Sequence, residues 1–261
     1  MTAKAAAKRF LANAAQAGNR ILSHFGCRLY TLSRLPLGVD PALDIKKLRR
    51  GAELGILFDV GANEGQTMRG FANDFPRARI FCFEPVRATF SRLQANARKF
   101  PDVSVFNHAF GEEPGEHAIH LHGNPGENSL VRPPFSETGQ GQKETIRIDT
   151  IDAFCEAQKL DRIHLLKIDT EGFELQVLKG AGRMLAESKI DLVFAEVCFD
   201  PNDKGHTFFS LLDDFLRTRN FALFAFYDPR HWRNPYACEY ANALYVNLGM
   251  KPGPLPRPFI P

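Results

Sequence analysis

The chain has 261 residues, of which 44% are hydrophobic and 24% are charged, as in an ordinary globular protein. This length suits one α/β domain with an appendage and can bury a sizeable core without disulfide bonds. The five cysteines are scattered and form no C-x-x-C pair, which argues against a disulfide framework and a zinc site. Because no apolar stretch could span a bilayer and no signal-peptide pattern is present, we expect a cytoplasmic location.

Charge is distributed unevenly along the chain. Residues 1–50 contain ten Lys or Arg and two Asp, a net charge of +8, whereas the rest of the chain carries −5. Apolar residues within 4–25 fall on one face of a predicted amphipathic helix. We therefore expect residues 1–50 to form a basic, helical extension that packs against the main domain or forms a homodimer contact. Peripheral contact with a membrane or an anionic carrier is the alternative.

From residue 56 the chain alternates between short apolar runs and segments with helical periodicity. Strands are predicted at 56–60, 79–83, 103–108, 116–122, 143–148, 163–168, 192–197, 221–227 and 243–247. Helices are predicted at 43–52, 65–75, 86–99, 151–158, 173–187 and 206–219, and a polar loop at 123–142. This alternation predicts a mostly parallel sheet with helices on both faces, in which ligands bind at the carboxyl ends of the strands.

A glycine loop follows the first predicted strand, in the segment Asp59-Val60-Gly61-Ala62-Asn63. A glycine there lets the backbone turn sharply, and the next helix directs its N–H groups to the same place. The loop is neither a G-x-G-x-x-G fingerprint, because position 63 is Asn, nor a P-loop. Asp59 favours a positively charged ligand group over a pyrophosphate, and S-adenosylmethionine carries an ammonium and a sulfonium.

Glu84 follows the second predicted strand, about 20 residues after Gly61. An acidic residue at this spacing can accept hydrogen bonds from both hydroxyls of a ribose. The alternative is a solvated Glu at a strand end, but the glycine loop at the matching distance favours the ribose role.

These segments, in order, resemble the FkbM-type methyltransferase family across roughly residues 54–227. The resemblance rests on Asp59 to Gly65, Phe83-Glu84-Pro85, Asn107-His108-Ala109, Lys167 to Glu174, and Val177 to Ala181. It implies an α/β class I methyltransferase (Rossmann-like) fold with a mostly parallel seven-stranded sheet, spanning 51–250. The extension at 1–50 and the Pro-rich tail at 251–261 lie outside it. The implied activity is S-adenosylmethionine-dependent O-methylation of a sugar, glycan or natural product.

The resemblance also assigns roles by position. Gly61 and Asn63 border the methionine part of the cofactor, and Glu84 holds the ribose. Asn107, His108 and Ala109 border the adenine. Asp169 lies beside the methyl group. Asn128 to Leu130 resembles a segment that could shape the acceptor pocket, although a plain loop is an equal alternative.

A hydroxyl acceptor must lose its proton, and a carboxylate near the methyl group can take it. Asp169 is the first candidate, Glu171 the second and Glu196 the third, with His108 and His206 weaker. The alternative is that these carboxylates cap the following helix, which we expect for Glu174. Asp169, Glu171 and Glu196 could supply oxygen ligands to a divalent ion, but no spacing shows that they converge, so we expect no metal.

Two other functions share these features. A nicotinamide-dependent oxidoreductase could use Gly61 and Glu84, but the fingerprint's second glycine is missing. A catalytically inactive cofactor-binding domain would keep the same loop. We expect no nucleic-acid partner, because the sequence shows no strong nucleic-acid motif and no extreme pI.

Overall fold

The computed structural model describes residues 18–30, 35–50, 52–121, 128–131, 142–203, 205–231 and 235–250, with the single residues 10, 14 and 32. The helices are α1 (Pro41–Leu48), α2 (Gln66–Asp74), α3 (Arg87–Ala97), α4 (Ile151–Ala157), α5 (Glu174–Lys179), α6 (Gly182–Ala186) and α7 (Phe209–Arg217). The strands are β1 (Ile56–Val60), β2 (Arg79–Phe83), β3 (Val103–Phe106), β4 (Ala109–Phe110), β5 (Gly115–His120), β6 (Lys143–Asp149), β7 (Leu165–Ile168), β8 (Leu192–Cys198), β9 (Phe221–Arg230) and β10 (Tyr240–Asn247).

The main sheet has seven strands in the order β3-β2-β1-β7-β8-β10-β9. The pairs from β3 to β8 are parallel, and β10 is antiparallel to both of its neighbours. The order reverses between β1 and β7, so a crevice opens at the carboxyl ends of these strands. The predicted class I methyltransferase architecture, with its mostly parallel seven-stranded sheet, is confirmed.

A second sheet of three strands, β4-β6-β5, stands beside the first. The sequence predicted β5 and β6 at 116–122 and 143–148, gave no signal for β4, and extended β3 to residue 108. That strand instead ends at Phe106, and the chain turns before pairing Ala109 with Ile148 of β6. A strand of two residues is too short for a periodic signal, which is why β4 was missed.

The core lies on both faces of the main sheet because successive side chains of each buried strand point to opposite faces. On one face Phe58 packs against Phe83 and Phe154, with ring centroids 5.1 and 5.7 Å away. On the other, Leu57 packs in a cluster that includes Ile45 of α1. Helix α1 therefore packs in the core of the main domain. The sequence had placed residues 41–50, which include α1, in the N-terminal extension.

The predicted helix at 173–187 is two helices, α5 and α6. A Cβ on Gly180 would lie 2.0 Å from the carbonyl oxygen of Gly111, so the chain passes close to β4 at this point. Asp152 then accepts hydrogen bonds from the N–H groups of Arg183 and Met184, at 2.7 and 3.0 Å. These contacts begin a new helix where periodicity alone predicts a continuous one.

Residues 18–22 are helical, but the apolar side chains near them do not pack against the domain. Ile21 is 68% exposed and Phe25 is 76% exposed. Most of the predicted helix at 4–25, most of the loop at 123–142 and the whole tail at 251–261 lie outside the described residues. In the described part of the chain, no helix combines the length and apolar character needed to cross a membrane.

Candidate active site

A cleft opens at the carboxyl ends of β1, β2 and β7, between the main sheet and the three-stranded sheet. Its lining comprises Val60, Gly61, Asn63, Phe83, Glu84, Pro85, Ala109, Phe110, Ile119, Asn128, Leu130, Asp169, Thr170, Glu171 and Phe173. Of the predicted cofactor-binding residues, the structure brings Gly61, Asn63, Glu84, Ala109 and Asp169 to this cleft. Asp59, Asn107 and His108 do not line it.

The loop after β1 requires glycine at residue 61. Gly61 has a φ of 76°, and a Cβ there would lie 1.7 Å from the carbonyl oxygen of Asp169. Asn63 also lies in the left-handed region, with a φ of 48°. The backbones at the ends of β1 and β7 therefore lie in close contact, which only a glycine at residue 61 allows.

Asp59 is fully buried behind this loop and pairs with Lys167, its register partner on the neighbouring strand. The Lys167 ammonium lies 2.9 Å from Asp59 Oδ1 and 3.5 Å from Asp169 Oδ2, and it donates a 3.2 Å hydrogen bond to the carbonyl of Gly61. Burial lowers the pKa of Lys167, but the two carboxylates outweigh burial and raise it overall, so the ammonium stays charged. Asp59 was expected to favour a positively charged group of the ligand. In the structure its positively charged partner is Lys167.

Glu84 is buried at the cleft wall, and each of its carboxylate oxygens accepts one backbone hydrogen bond. Oε1 accepts from the N–H of Val86 at 2.9 Å, and Oε2 accepts from the N–H of Asn63 at 3.1 Å. Burial raises the pKa of Glu84 to about 7, although these two hydrogen bonds lower it. Glu84 therefore fixes the loop after β1, and each oxygen keeps a lone pair for a ligand hydroxyl.

The segment after β3 serves the cleft mainly through its backbone and apolar groups. Asn107 donates from its amide to the carbonyls of Glu84 and Pro85, at 2.9 and 2.8 Å. His108 is buried among aromatic rings, 5.4 Å from the Phe83 ring, and burial lowers its pKa to about 4. His108 is therefore neutral and lies behind the apolar wall that Ala109 contributes to.

The segment after β7 is held by Glu174, the first residue of α5. Glu174 Oε1 accepts hydrogen bonds from the N–H groups of Thr170 and Gly172, at 2.8 and 3.3 Å, and its other oxygen accepts from Thr207. This fully satisfied carboxylate holds the turn before α5 and, contrary to the expectation from the sequence, does not cap the N–H groups of that helix. Among the residues that the structure describes, no backbone N–H donates to the Asp169 carboxylate, and its side chain is 37% exposed toward the cleft.

Glu171 and Glu196 meet His206 beside the cleft. His206 Nε2 lies 3.3 Å from Glu171 Oε2, and one ligand atom from each of the three residues lies within 4.8 Å of the others. Burial first, and then the charges of Asp169 and Glu171, together raise the pKa of Glu196 to about 8. Burial alone would lower the pKa of His206, but hydrogen bonds to Glu171 and Asp203 outweigh it and bring it to about 9.

Sequence reasoning missed two contributors to this site. Lys167 lies in the otherwise apolar segment Leu165-Leu166-Lys167-Ile168, and a lysine inside a buried strand requires a partner, which was the available signal. Asp203 holds His206 through a 3.1 Å contact, and nothing in the sequence ties this pair to Glu171.

Comparison with known proteins agrees with this geometry. Residues 59–223, more than half of the chain, match the model of the methyltransferase FkbM domain. The match begins at Asp59 and includes Glu84, Asp169, Glu171 and Glu196. It therefore covers the carboxylates around the cleft as well as the sheet that positions them.

Two curated relatives and one solved structure illustrate the similarity. The 2-O-methyltransferase NoeI of Sinorhizobium fredii is 25% identical over 146 residues, which cover 51% of this chain and 60% of NoeI. The hexuronic acid methyltransferase AglP of Haloferax volcanii is 30% identical over 161 residues, 60% of this chain and 62% of AglP. The precorrin-6y C5,15-methyltransferase of Geobacter metallireducens superposes with a TM-score of 0.42 at 13% identity, over 78% of this chain and 87% of that one. The matched region thus spans less than two thirds of the length of NoeI and of AglP. The chain belongs to the FkbM methyltransferase family.

Proposed function

We propose that the protein is an S-adenosylmethionine-dependent O-methyltransferase that acts on a hydroxyl group of a sugar or glycan. The observation that carries this proposal is the position of Glu84 and Asp169 in one cleft, on either side of the Gly61 loop. Glu84 matches the residue that accepts hydrogen bonds from a ribose, and Asp169 stands at the end of the neighbouring strand.

The residues of the cleft fit this cofactor. Each Glu84 oxygen has a lone pair left for one ribose hydroxyl, and the apolar wall contributed by Ala109, Phe110 and Leu130 suits the adenine ring. Asn63 Oδ1 is buried and has no hydrogen-bond partner within the described ranges, so it can accept from the cofactor's amino group. These polar and apolar groups are complementary to the two ends of S-adenosylmethionine.

The bound cofactor supplies a methyl group on a positively charged sulfur. The chain's own residues would bring the acceptor oxygen in line with that group and take the hydroxyl proton, while the methyl–sulfur bond would break as the C–O bond formed. Asp169 is the carboxylate that the cleft exposes at this point, and Lys167 holds its position from 3.5 Å away. Glu171 lines the same cleft and is the next candidate for the base, with Glu196 behind it.

The acceptor class is supported by the relatives and by charge. One relative is named for 2-O-methylation and another for hexuronic acid, an anionic sugar. The net charge of +8 on residues 1–50 favours an anionic acceptor or an anionic carrier of the acceptor. A sugar that carries a carboxylate and a free hydroxyl is therefore the first acceptor to test.

The experiment incubates the protein with S-adenosylmethionine and a panel of sugars and glycans with and without hexuronic acid, and detects methylated product by mass spectrometry. We expect a methyl ether on one hydroxyl. Asp169→Asn should lower kcat by about 100-fold, since loss of a general base costs 10²–10⁴-fold, while cofactor affinity stays close to that of the wild type. Asp102→Asn, an exposed carboxylate before β3, is the matched control and should keep full activity.

Two outcomes contradict parts of this proposal. If NAD binds and S-adenosylmethionine does not, the protein is an oxidoreductase. If S-adenosylmethionine binds but no acceptor is methylated, the inactive cofactor-binding domain is favoured. Full turnover by Asp169→Asn would transfer the role of base to Glu171 or Glu196.

A further inference from the structure

Three metal-binding side chains from separate segments converge beside the cleft. Glu171 follows β7, Glu196 lies in β8 and His206 precedes α7. One ligand atom of each lies within 4.8 Å of the other two. Ligand atoms that share one ion at about 2.0–2.3 Å stand roughly 3–4 Å apart, so small side-chain movements would complete the coordination.

The ring of His206 is oriented as in a metal site. Its Nδ1 lies 3.1 Å from Asp203 Oδ1, and Asp203 is itself fixed by hydrogen bonds of 2.7 Å from the N–H of Gly205 and of 2.7 Å from the hydroxyl of Tyr240. A metal-binding histidine donates its outer N–H to a carboxylate in this way, which leaves the other nitrogen free for the metal. Here that other nitrogen, Nε2, lies 3.3 Å from Glu171 Oε2, so a cation would bind by taking the place of the proton that these two groups share.

Glu196 supplies a second, independent observation. Its side chain is half-buried, yet within the described ranges it forms neither a hydrogen bond nor an ion pair. Each of the other enclosed carboxylates nearby has its partner: Asp59 has Lys167, Glu84 has two backbone N–H groups, and Glu174 has the N–H of Thr170. A carboxylate enclosed without a partner and facing two other ligand groups is the arrangement that a cation would complete.

We propose that Glu171, Glu196 and His206 bind one divalent cation, with Asp203 as the residue that orients the histidine. Two carboxylates and one imidazole suit Mn²⁺ and similar transition metals, and three protein ligands leave coordination positions open. Sequence analysis predicted no metal because the three ligands come from segments whose spacing reveals no convergence. Cation binding does not depend on the proposed function. A role for the cation in holding the acceptor oxygen does rest on the proposed function.

The test titrates the chelator-treated full chain with MnCl₂ and measures free Mn²⁺ by its electron paramagnetic resonance signal. We expect one Mn²⁺ per chain. Glu196→Gln removes a ligand without removing a hydrogen bond or ion pair among the described residues, so it should fold normally and weaken Mn²⁺ binding by at least about 10-fold. Asp203→Asn should weaken binding by about 10-fold through His206. The exposed Glu187→Gln is the matched control and should bind as the wild type does.

Two results would overturn the metal site: no binding of Mn²⁺ by the wild type, or equal binding by Glu196→Gln and the wild type. Binding of S-adenosylhomocysteine, measured on the same samples without Mn²⁺, separates the two proposals. A protein that binds Mn²⁺ but not S-adenosylhomocysteine keeps the metal site and loses the proposed function. The reverse result keeps the proposed function and removes the metal site.

Discussion

The two ends of the cleft are built in different ways. At the end formed by β1 and β2, Glu84 accepts backbone hydrogen bonds on both oxygens, and Gly61 is locked against Asp169. At the end formed by β7 and β8, Glu171 and Glu196 stand close together, and Glu196 has no partner in the described part of the chain. The carboxylate of the first end is therefore held by the chain on both oxygens, whereas Glu196 at the second end is not.

The β1–β2 end of the cleft is therefore preorganised, whereas the β7–β8 end is not. Fixed hydrogen-bond acceptors at the β1–β2 end suit a ligand that every catalytic cycle shares, because no reorganisation is needed on binding. Crowded carboxylates at the β7–β8 end suit a step in which charge changes, such as removal of a proton or binding of a cation. Lys167 joins the two ends, since its ammonium contacts both the Gly61 carbonyl and Asp169.

Removing the Lys167 ammonium should lower the stability of the protein more than any other substitution considered. Lys167→Met leaves the carboxylate of Asp59 fully buried beside an apolar side chain. Breaking a buried ion pair in this way costs about 3–5 kcal/mol, which should appear as a lower free energy of unfolding in urea. The double variant Asp59→Asn/Lys167→Met should recover part of that loss because it removes the stranded charge. No recovery would mean that Lys167 acts through Gly61 and Asp169 rather than through Asp59.

A smaller loss is expected from Gly61→Ala. The added Cβ meets the Asp169 carbonyl, and φ is positive at this residue, so the ends of β1 and β7 must separate. We expect a loss of about 2–3 kcal/mol in unfolding free energy and a fall in cofactor affinity. Gly70→Ala is the control: it lies on the exposed face of α2 with open space around it, and should stabilise the protein by about 0.5–1 kcal/mol. Equal behaviour of the two variants would contradict the close approach of the strands.

Glu84→Gln tests the preorganised end alone. The substitution keeps the shape but turns one of the two acceptor oxygens into an NH2 donor, so one ribose hydroxyl and the N–H of Val86 or Asn63 lose their acceptor. At pH 8 we expect affinity for S-adenosylhomocysteine to fall about 10-fold by calorimetry. Glu64→Gln, in the same loop but paired with Arg92 outside the cleft, should bind normally. Unchanged affinity in Glu84→Gln would move the ribose site elsewhere.

The smallest effect is a dependence on pH. The pKa of Glu84 is raised to about 7 from 4.5, and hydrogen bonds from a ribose favour the ionised form. Cofactor affinity should therefore be full above pH 7 and fall by up to about tenfold per unit below it. The free energy of unfolding changes with pH in the opposite direction to cofactor affinity. Between pH 4.5 and 7 the folded state holds the proton on Glu84 more tightly than the unfolded state does, so the contribution of Glu84 to stability declines as pH rises. A flat binding profile from pH 6 to 8 would contradict the ionised acceptor.

The β1–β2 end of the cleft was largely predictable from the sequence, because its signals are local. A strand followed by Gly61, and Glu84 at the expected spacing, both lie at ends of elements that hydrophobic patterning places correctly. Five predicted cofactor-binding residues, Gly61, Asn63, Glu84, Ala109 and Asp169, line one cleft. Asp59 was placed at the correct strand end, but its partner Lys167 lies on another strand and depends on the order of the strands.

The β7–β8 end was not predictable in the same way. Glu171, Glu196 and His206 come from three segments, and only the parallel pairing of β7 with β8 brings the first two together. The break between α5 and α6 likewise depends on Gly180 meeting Gly111, a tertiary contact with no local signal. Tertiary contacts of this kind override local periodicity, which is why both features required the structure.

The most direct test of the account is calorimetric titration of the purified chain with S-adenosylhomocysteine and, separately, with NAD. We expect one S-adenosylhomocysteine site of micromolar affinity, weakened in Glu84→Gln, and no binding of NAD. Binding of NAD without S-adenosylhomocysteine, or binding of neither, would contradict the claim that this cleft is the cofactor site of a methyltransferase.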